Sequence, residues 1–322
     1  MSDGSRFRRG GVSVLTFIVF LSAASARHAQ SAGIAGLQQS DLAPTPSAIV
    51  HHSAQANGVK YHYVVSGSGP AVVLLHGWPT TWYHWHRIIP KLAATYTVIA
   101  PDLRGLGLTE RTDGGYDKRT VAEDIYQLVR HLGHERVYVV GHDIGGMVAF
   151  ALAHEHPEIV EKLVILDVPI PGLGVWEQSL RRLWHLGFHQ VPELPEALVS
   201  GNVRTYLQYF FTFNSTAGAI TEEELTEYAR AYSEPGALRA GFAYYRAFSE
   251  DAKTNEVYAR TRLRMPVLAL GGALTMGEGT LRQMQPVAEN VQGGVLQQAG
   301  HWFAAEQPDE LSRRLILFFT EP

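Results

Sequence analysis

The chain has no cysteine among its 322 residues. That excludes a thiol nucleophile, a structural disulfide and any thiolate-ligated zinc or iron–sulfur centre. It also lacks a basic excess: 27 Lys and Arg stand against 31 Asp and Glu, for a formal net charge of −4. A phosphate-binding surface needs clustered positive charge, so nucleic acid is not an expected partner. Hydrophobic residues at 46% and charged residues at 18% give an ordinary globular balance, neither collagen-like nor disordered. Chemistry must therefore come from Asp, Glu, His, Ser, Tyr or Lys.

A membrane-spanning segment is not expected either. The apolar run Val12–Leu21 is about half of the ~20 residues that a spanning helix requires. Arg6, Arg8 and Arg9 precede it and Ala24-Ser25-Ala26 follows it, the order of a secretory signal peptide. Residues 1–26 are therefore read as a removed signal, with a membrane anchor as the alternative, and the protein as exported, periplasmic or secreted. After cleavage no stable membrane insertion is expected. Residues 27–47, rich in Ser, Ala and Gln without apolar periodicity, read as a flexible mature terminus.

From Ala48 to Ser66, two alternating stretches flank Asn57-Gly58, a pair suited to a tight hairpin turn. Short apolar runs follow at Val72–Leu75, Tyr96–Ala100, Val137–Val140, Leu163–Leu166, Pro266–Leu270 and Val295–Gln297. Helix-length segments such as Lys118–Leu132 and Gly145–His156 lie between several of them. Such alternation predicts an α/β fold with a mostly parallel sheet flanked by helices. It breaks from Val168 to Arg262, where no strand is evident and helical spacing recurs in Thr221–Tyr232 and Ala237–Glu250. The expected organisation is a core in two parts, 48–167 and 263–322, with an inserted all-helical cap at 168–262.

Gly141-His142-Asp143-Ile144-Gly145 follows the Val137–Val140 run and precedes an apolar helical segment. This is the form Gly-x-nucleophile-x-Gly, in which a sharp strand-to-helix turn presents the central side chain above the sheet. The plainer reading is an Asp capping the next helix. Two further motifs favour the nucleophile. His76-Gly77-Trp78-Pro79 follows Val72–Leu75, where a backbone amide of Trp78 can join that of Ile144 as an oxyanion hole. Gly300-His301-Trp302 follows the last short strand, where a loop can deliver an imidazole. Among 15 histidines, position selects His301; His76 and His142 read as packing or hydrogen-bonding residues.

With Pro101-Asp102-Leu103-Arg104-Gly105-Leu106-Gly107 between them, these motifs stand in the order of the α/β-hydrolase superfamily, which the chain resembles from about Ala48 to its end. The resemblance implies the α/β-hydrolase fold. Aspartate at the elbow then matters chemically. A serine that attacked saturated carbon would form an ether that water does not release, whereas a carboxylate forms an ester that a His-activated water can cleave. Asp143 thus points to epoxides or alkyl halides, and the superfamily resemblance implies the same two. The acid that orients His301 is Asp167, after Leu163–Leu166, or Glu278. The loop Gly271-Gly272-Ala273-Leu274 contains no carboxylate, Glu278 suits a helix start, and Asp167 is preferred.

Epoxide opening calls for acidic donors such as Tyr or His facing the nucleophile. The cap offers Trp184-His185, Tyr206, Tyr209 and Tyr244-Tyr245, and neighbours on a helix point about 100° apart, so Tyr244 and Tyr245 cannot both face one cavity. A closer resemblance is to the Cif-type epoxide hydrolases, exported bacterial enzymes. It is carried by Leu163–Gly172, Leu183-Trp184-His185, Phe242-Ala243-Tyr244-Tyr245-Arg246-Ala247 and Gly271–Met284. It implies His185 and Tyr245 as the ring-opening pair, Asp167 as the acid where that group commonly has Glu, and a homodimer. Haloalkane dehalogenases usually carry Trp after the nucleophile, and haloacetate dehalogenases carry Arg there and three residues further on. Ile144 and Met147 occupy those positions here, although Trp184 keeps a halide reading open. The expected function is hydrolysis of a small-molecule epoxide by Asp143, His301, Asp167, His185 and Tyr245, with the Trp78 and Ile144 amides as oxyanion hole and without cofactor or metal. The alternatives are a dehalogenase on the same triad and a secreted host-interaction module with vestigial activity.

Overall fold

The computed structural model describes residues 48–213 and 215–321, so the expected signal peptide and loose terminus lie outside the described residues. Among the described residues eight strands form one sheet: β1 (Val50–Ala56), β2 (Val59–Ser66), β3 (Ala71–Leu75), β4 (Thr97–Pro101), β5 (Val137–His142), β6 (Val160–Leu166), β7 (Val267–Gly272) and β8 (Val291–Leu296). Their spatial order is β1-β2-β4-β3-β5-β6-β7-β8. β2 runs antiparallel to both neighbours and all other pairs are parallel. Asn57 and Gly58 turn the leading hairpin with φ of 47° and 75°, the left-handed values that a two-residue turn between twisted strands requires.

The central strands are apolar along their whole length because helices cover both faces. On one face, Val121, Ile125 and Leu128 of the helix Lys118–His131 join Val148 and Phe150 of the helix Ile144–Glu155 in one core cluster. On the other face, Ile89, Leu92, Leu311, Leu315 and Phe318 pack with Val72, Leu74 and Val98. Asp117 caps the first of these helices by accepting the Thr120 amide at 2.8 Å, which satisfies one of its orphan donors.

Two expected elements are displaced. The last strand is β8 and not Val295–Gln297, because Gly293 and Gly294 interrupt the apolar pattern in its middle. A Cβ on Gly293 would lie 1.9 Å from the Ala269 carbonyl oxygen, so the close approach of β7 requires glycine there. The expected helix Ala237–Glu250 is two helices, Ala237–Arg246 and Phe248–Tyr258, that meet at Ala247.

Among the described residues, seven helices and no strand lie between β6 and β7. Buried polar bonds tie this helical insert to the core. Lys118 Nζ pairs with Asp251 Oδ2 at 2.7 Å with both side chains buried, and the Lys118 amide donates to Asp251 Oδ1 at 2.8 Å. Tyr244 donates its hydroxyl to the Arg104 carbonyl at 2.9 Å. Removing one partner of a buried pair strands the other charge in a medium of low polarity. Lys118→Ala is therefore expected to destabilise the fold by about 3–5 kcal/mol, read from urea unfolding midpoints; a loss under about 1 kcal/mol would mean that water reaches Asp251.

Candidate active site

Asp143 sits between β5 and the helix Ile144–Glu155 with φ 53° and ψ −128°, a conformation rarely adopted outside glycine and concentrated at functional sites. Glycine makes the turn possible on two sides. A Cβ on Gly145 would lie 2.3 Å from the Leu75 carbonyl oxygen, and one on Gly77 would lie 2.3 Å from Asp143 Cβ. The loop after β3 therefore lies directly against the elbow. Asp143 makes no side-chain capping bond to its helix. Its Oδ1 accepts the Trp78 amide at 3.0 Å. Of the two amides expected at an oxyanion hole, that of Trp78 thus holds the carboxylate, and Ile144 is the first residue of the helix that follows it.

The loop after β8 places His301 opposite. Its Nε2 lies 3.6 Å from Asp143 Oδ2, too long for a hydrogen bond but within ion-pair range. Its Nδ1 bonds Asp167 Oδ2 at 2.7 Å. The shorter aspartate reaches the imidazole because Asp167 leaves β6 with φ 45°, at the same sheet edge. Glu278 is an exposed residue at the start of the helix Gly279–Met284 and takes no part. His142 Nε2 donates to the His301 carbonyl at 2.7 Å, and His76 bonds the Gly77 carbonyl and the Leu103 amide; both organise loops.

The residues that hold Asp167 escaped sequence reasoning. Its Oδ1 accepts the Gly272 amide at 2.8 Å, the Thr275 hydroxyl at 2.7 Å and the Met276 amide at 3.3 Å. The loop after β7 supplies the donors for the acid, not the acid itself. Two of these donors are backbone amides, and the third, Thr275, is a loop residue with no motif around it to mark it.

Asp143, His301, Tyr245, His185, Trp78 and Phe210 all line one cavity of about 220 Å³ between the sheet edge and the helical insert. The tyrosines separate sharply. Tyr244 is spent on Arg104, Tyr206 bonds His189 at 2.7 Å, and Tyr209 is exposed with its hydroxyl accepting from Trp184 Nε1 at 3.3 Å. Tyr245 reaches the cavity from the helix Ala237–Arg246, with its ring centroid 6.2 Å from that of His185. Ile144 and Met147 also line the cavity. Among the described residues, no group of three or more His, Asp or Glu is placed to hold a metal ion.

The electrostatics divide the labour. Burial pushes the Asp143 carboxyl up, but the adjacent His301 outweighs it and holds the group below its ordinary range, hence ionised. Burial likewise opposes charge on His301, yet Asp143 and Asp167 together raise it to about 10. Burial lowers His185 to about 4, so its imidazole is neutral near pH 7. Burial, and then the Asp143 charge, push the Tyr245 phenol well above its ordinary value, so it keeps its proton.

Residues 70–308 match the family model of the alpha/beta hydrolase fold. The soluble epoxide hydrolase of Corynebacterium sp. (strain C12) is 42% identical over 281 residues, which span 84% of this chain and 98% of that protein. The solved structure of epoxide hydrolase CorEH without ligand has a TM-score of 0.80 at 42% identity, covering 84% of this chain and 99% of its own. The fluoroacetate dehalogenase of Burkholderia sp is 33% identical over 280 residues, spanning 82% of this chain and 91% of that protein.

The His301 value depends on two carboxylates, and removing the charge of either should bring it down. An NMR titration of the imidazole is expected to show a midpoint near 10 in the intact protein and a fall toward the ordinary 6.5 in Asp143→Asn. The folded value is the raised one, so the pair's stabilisation is full below about pH 6.5 and is lost as pH rises through about 10. An unchanged midpoint in Asp143→Asn would remove Asp143 as a partner of His301.

Proposed function

This chain belongs to the α/β-hydrolase fold family, and from that premise we propose that it is an epoxide hydrolase acting through an ester on Asp143. The observation that carries this reading is the state of one carboxylate. Asp143, a lining residue of the cavity, is ionised, with Oδ1 held by a backbone amide and Oδ2 3.6 Å from His301 Nε2. A carboxylate so placed attacks carbon with the free oxygen, and its other oxygen already rests where an oxyanion will form.

In the first step Oδ2 bonds a ring carbon and the carbon–oxygen bond of the epoxide breaks. The departing oxygen accepts hydrogen bonds from the Tyr245 hydroxyl and a His185 N–H, and takes the phenolic proton. Ester formation erases the Asp143 charge, and with it much of what held His301 protonated. The imidazole, now oriented by Asp167 alone, gives up its proton as the Tyr245 phenolate regains one, and the neutral ring that remains is a base. In the second step it takes a proton from water as the water oxygen bonds Cγ. The negative charge collects on Oδ1 between the Trp78 and Ile144 amides, a contribution of about 3–4 kcal/mol per donor at such sites. Collapse breaks the Cγ–Oδ2 bond; the departing oxygen takes the second proton of the water from the new carboxyl group, which releases the vicinal diol and leaves Asp143 ionised beside the protonated His301. Overall, one epoxide and one water give one diol.

A dehalogenase would use the same first attack. The apolar Ile144 and Met147 on the cavity wall offer neither a halide donor nor an anchor for a carboxylate next to the reacting carbon, which favours the epoxide. Within that activity, the neutral His185 paired with a single cavity tyrosine supports assignment to the Cif-type branch. The Arg-rich, apolar and small-residue segments of residues 1–26 support export, with a mature amino terminus at Arg27 to be read by mass spectrometry of the exported fraction. The same branch assignment carries a homodimer, to be read from solution mass.

The decisive test stalls the ester. His301→Gln or Asp167→Asn incubated with an epoxide should gain the mass of one substrate, located on Asp143. A single turnover of the intact enzyme in ¹⁸O-water should label the Asp143 carboxylate before the diol. Label appearing in the diol on the first turnover, with no adduct in either variant, would show direct water attack and end the covalent scheme.

A further inference from the structure

His301 rides on a loop whose backbone is held from outside the triad. Glu306 Oε2 accepts the Gly300 amide at 2.9 Å and the Trp302 amide at 2.9 Å, one on each side of His301. The other oxygen of the same carboxylate faces the helical insert, accepting the Thr216 amide at 2.6 Å and the Ser215 hydroxyl at 3.3 Å. Two further bonds join the same pieces. Trp302 Nε1 donates to the carbonyl of Phe210, a cavity-lining residue, at 3.3 Å. The Arg87 guanidinium donates to the Ala305 carbonyl at 2.9 Å and to the Glu224 carboxylate of the insert at 2.7 Å. By contrast, none of these bonds reaches Asp143, Tyr245 or His185.

We infer that Glu306 is a positioning residue for the second half-reaction, fixing the main chain around His301 against the cap so that the imidazole meets the ester carbonyl. The inference rests on the two-step reading above and sharpens it. Alkylation uses Asp143, held by β3 and β5, and donors carried by cap helices. From His301 alkylation draws only its nearby charge, whereas hydrolysis needs the ring aimed at the attacking water, and a shift of about 1 Å in a catalytic group can cost a hundredfold. An ionised carboxylate only accepts hydrogen bonds and so serves four donors at once. The amide of Gln keeps one acceptor and turns an NH₂ toward two N–H groups or toward the cap.

The experiment separates the half-reactions in Glu306→Gln by rapid quench and intact-protein mass, using styrene oxide as probe. Hydrolysis of the ester should slow at least tenfold more than its formation, so alkyl-enzyme accumulates where the parent protein shows little. Trp302→Phe, which removes the bond to Phe210, should shift the same ratio in the same direction by a smaller factor. A merely structural role would lower both rates together along with the thermal midpoint, and that outcome overturns the inference. If the parent protein turns over no epoxide and forms no adduct, the functional reading has failed and positioning is decided by hydrogen exchange. Glu306→Gln should then speed exchange at the Gly300 and Trp302 amides at least tenfold and lower the His301 midpoint, and unchanged exchange rejects it.

Discussion

One imidazole between two carboxylates organises this molecule. His301 has its Nδ1 on Asp167 and its Nε2 facing Asp143, and the three groups come from the loops after β8, β6 and β5. The arrangement is stable while both carboxylates are charged and changes character once one of them is esterified. In the proposed scheme, a group that is a counter-ion in the resting protein becomes a base in the intermediate. The positive charge keeps Asp143 ionised for attack, and the loss of that negative charge frees His301 for the next step.

The sheet supplies rigidity at this point and the insert supplies selectivity. Strands buried on both faces fix the positions of Asp143, Asp167 and the Trp78 amide to within hydrogen-bond tolerance, and glycines at 77 and 145 let backbones meet where any side chain would intrude. Tyr245 and His185 arrive from helices of the insert, which is held by the buried Lys118–Asp251 pair and by Tyr244. The two adjacent tyrosines show how helix geometry divides roles. One points down to anchor the helix on Arg104, and the other points into the cavity.

Much of the fold and the site was legible in residue order. The hairpin at Asn57-Gly58, the elbow at Asp143 and the loop imidazole at His301 each follow from local chemistry: positive φ, close backbone approach, and a strand end facing a common edge. What was not legible depends on neighbours distant in the chain. β8 hides its pattern behind Gly293 and Gly294, and β7 crowds the first of them. The break at Ala247 depends on how the two helices pack, and the period of the residues runs through it unchanged. Thr275 and the amides of Gly272 and Met276 hold Asp167, yet a threonine in a loop has no sequence signature as a donor to an acid more than a hundred residues earlier.

By itself the sequence determined the reaction class, since an aspartate in place of serine at a strand-to-helix elbow dictates an alkyl ester, and an absence of cysteine removes the competing nucleophile. The sequence named Asp167 and Tyr245 only by preference and resemblance; tertiary structure decided that Asp167 and not Glu278 meets the histidine, and that Tyr245 and not Tyr244 lines the cavity. Those choices are matters of distance and direction between segments far apart in the chain, and only packing sets them.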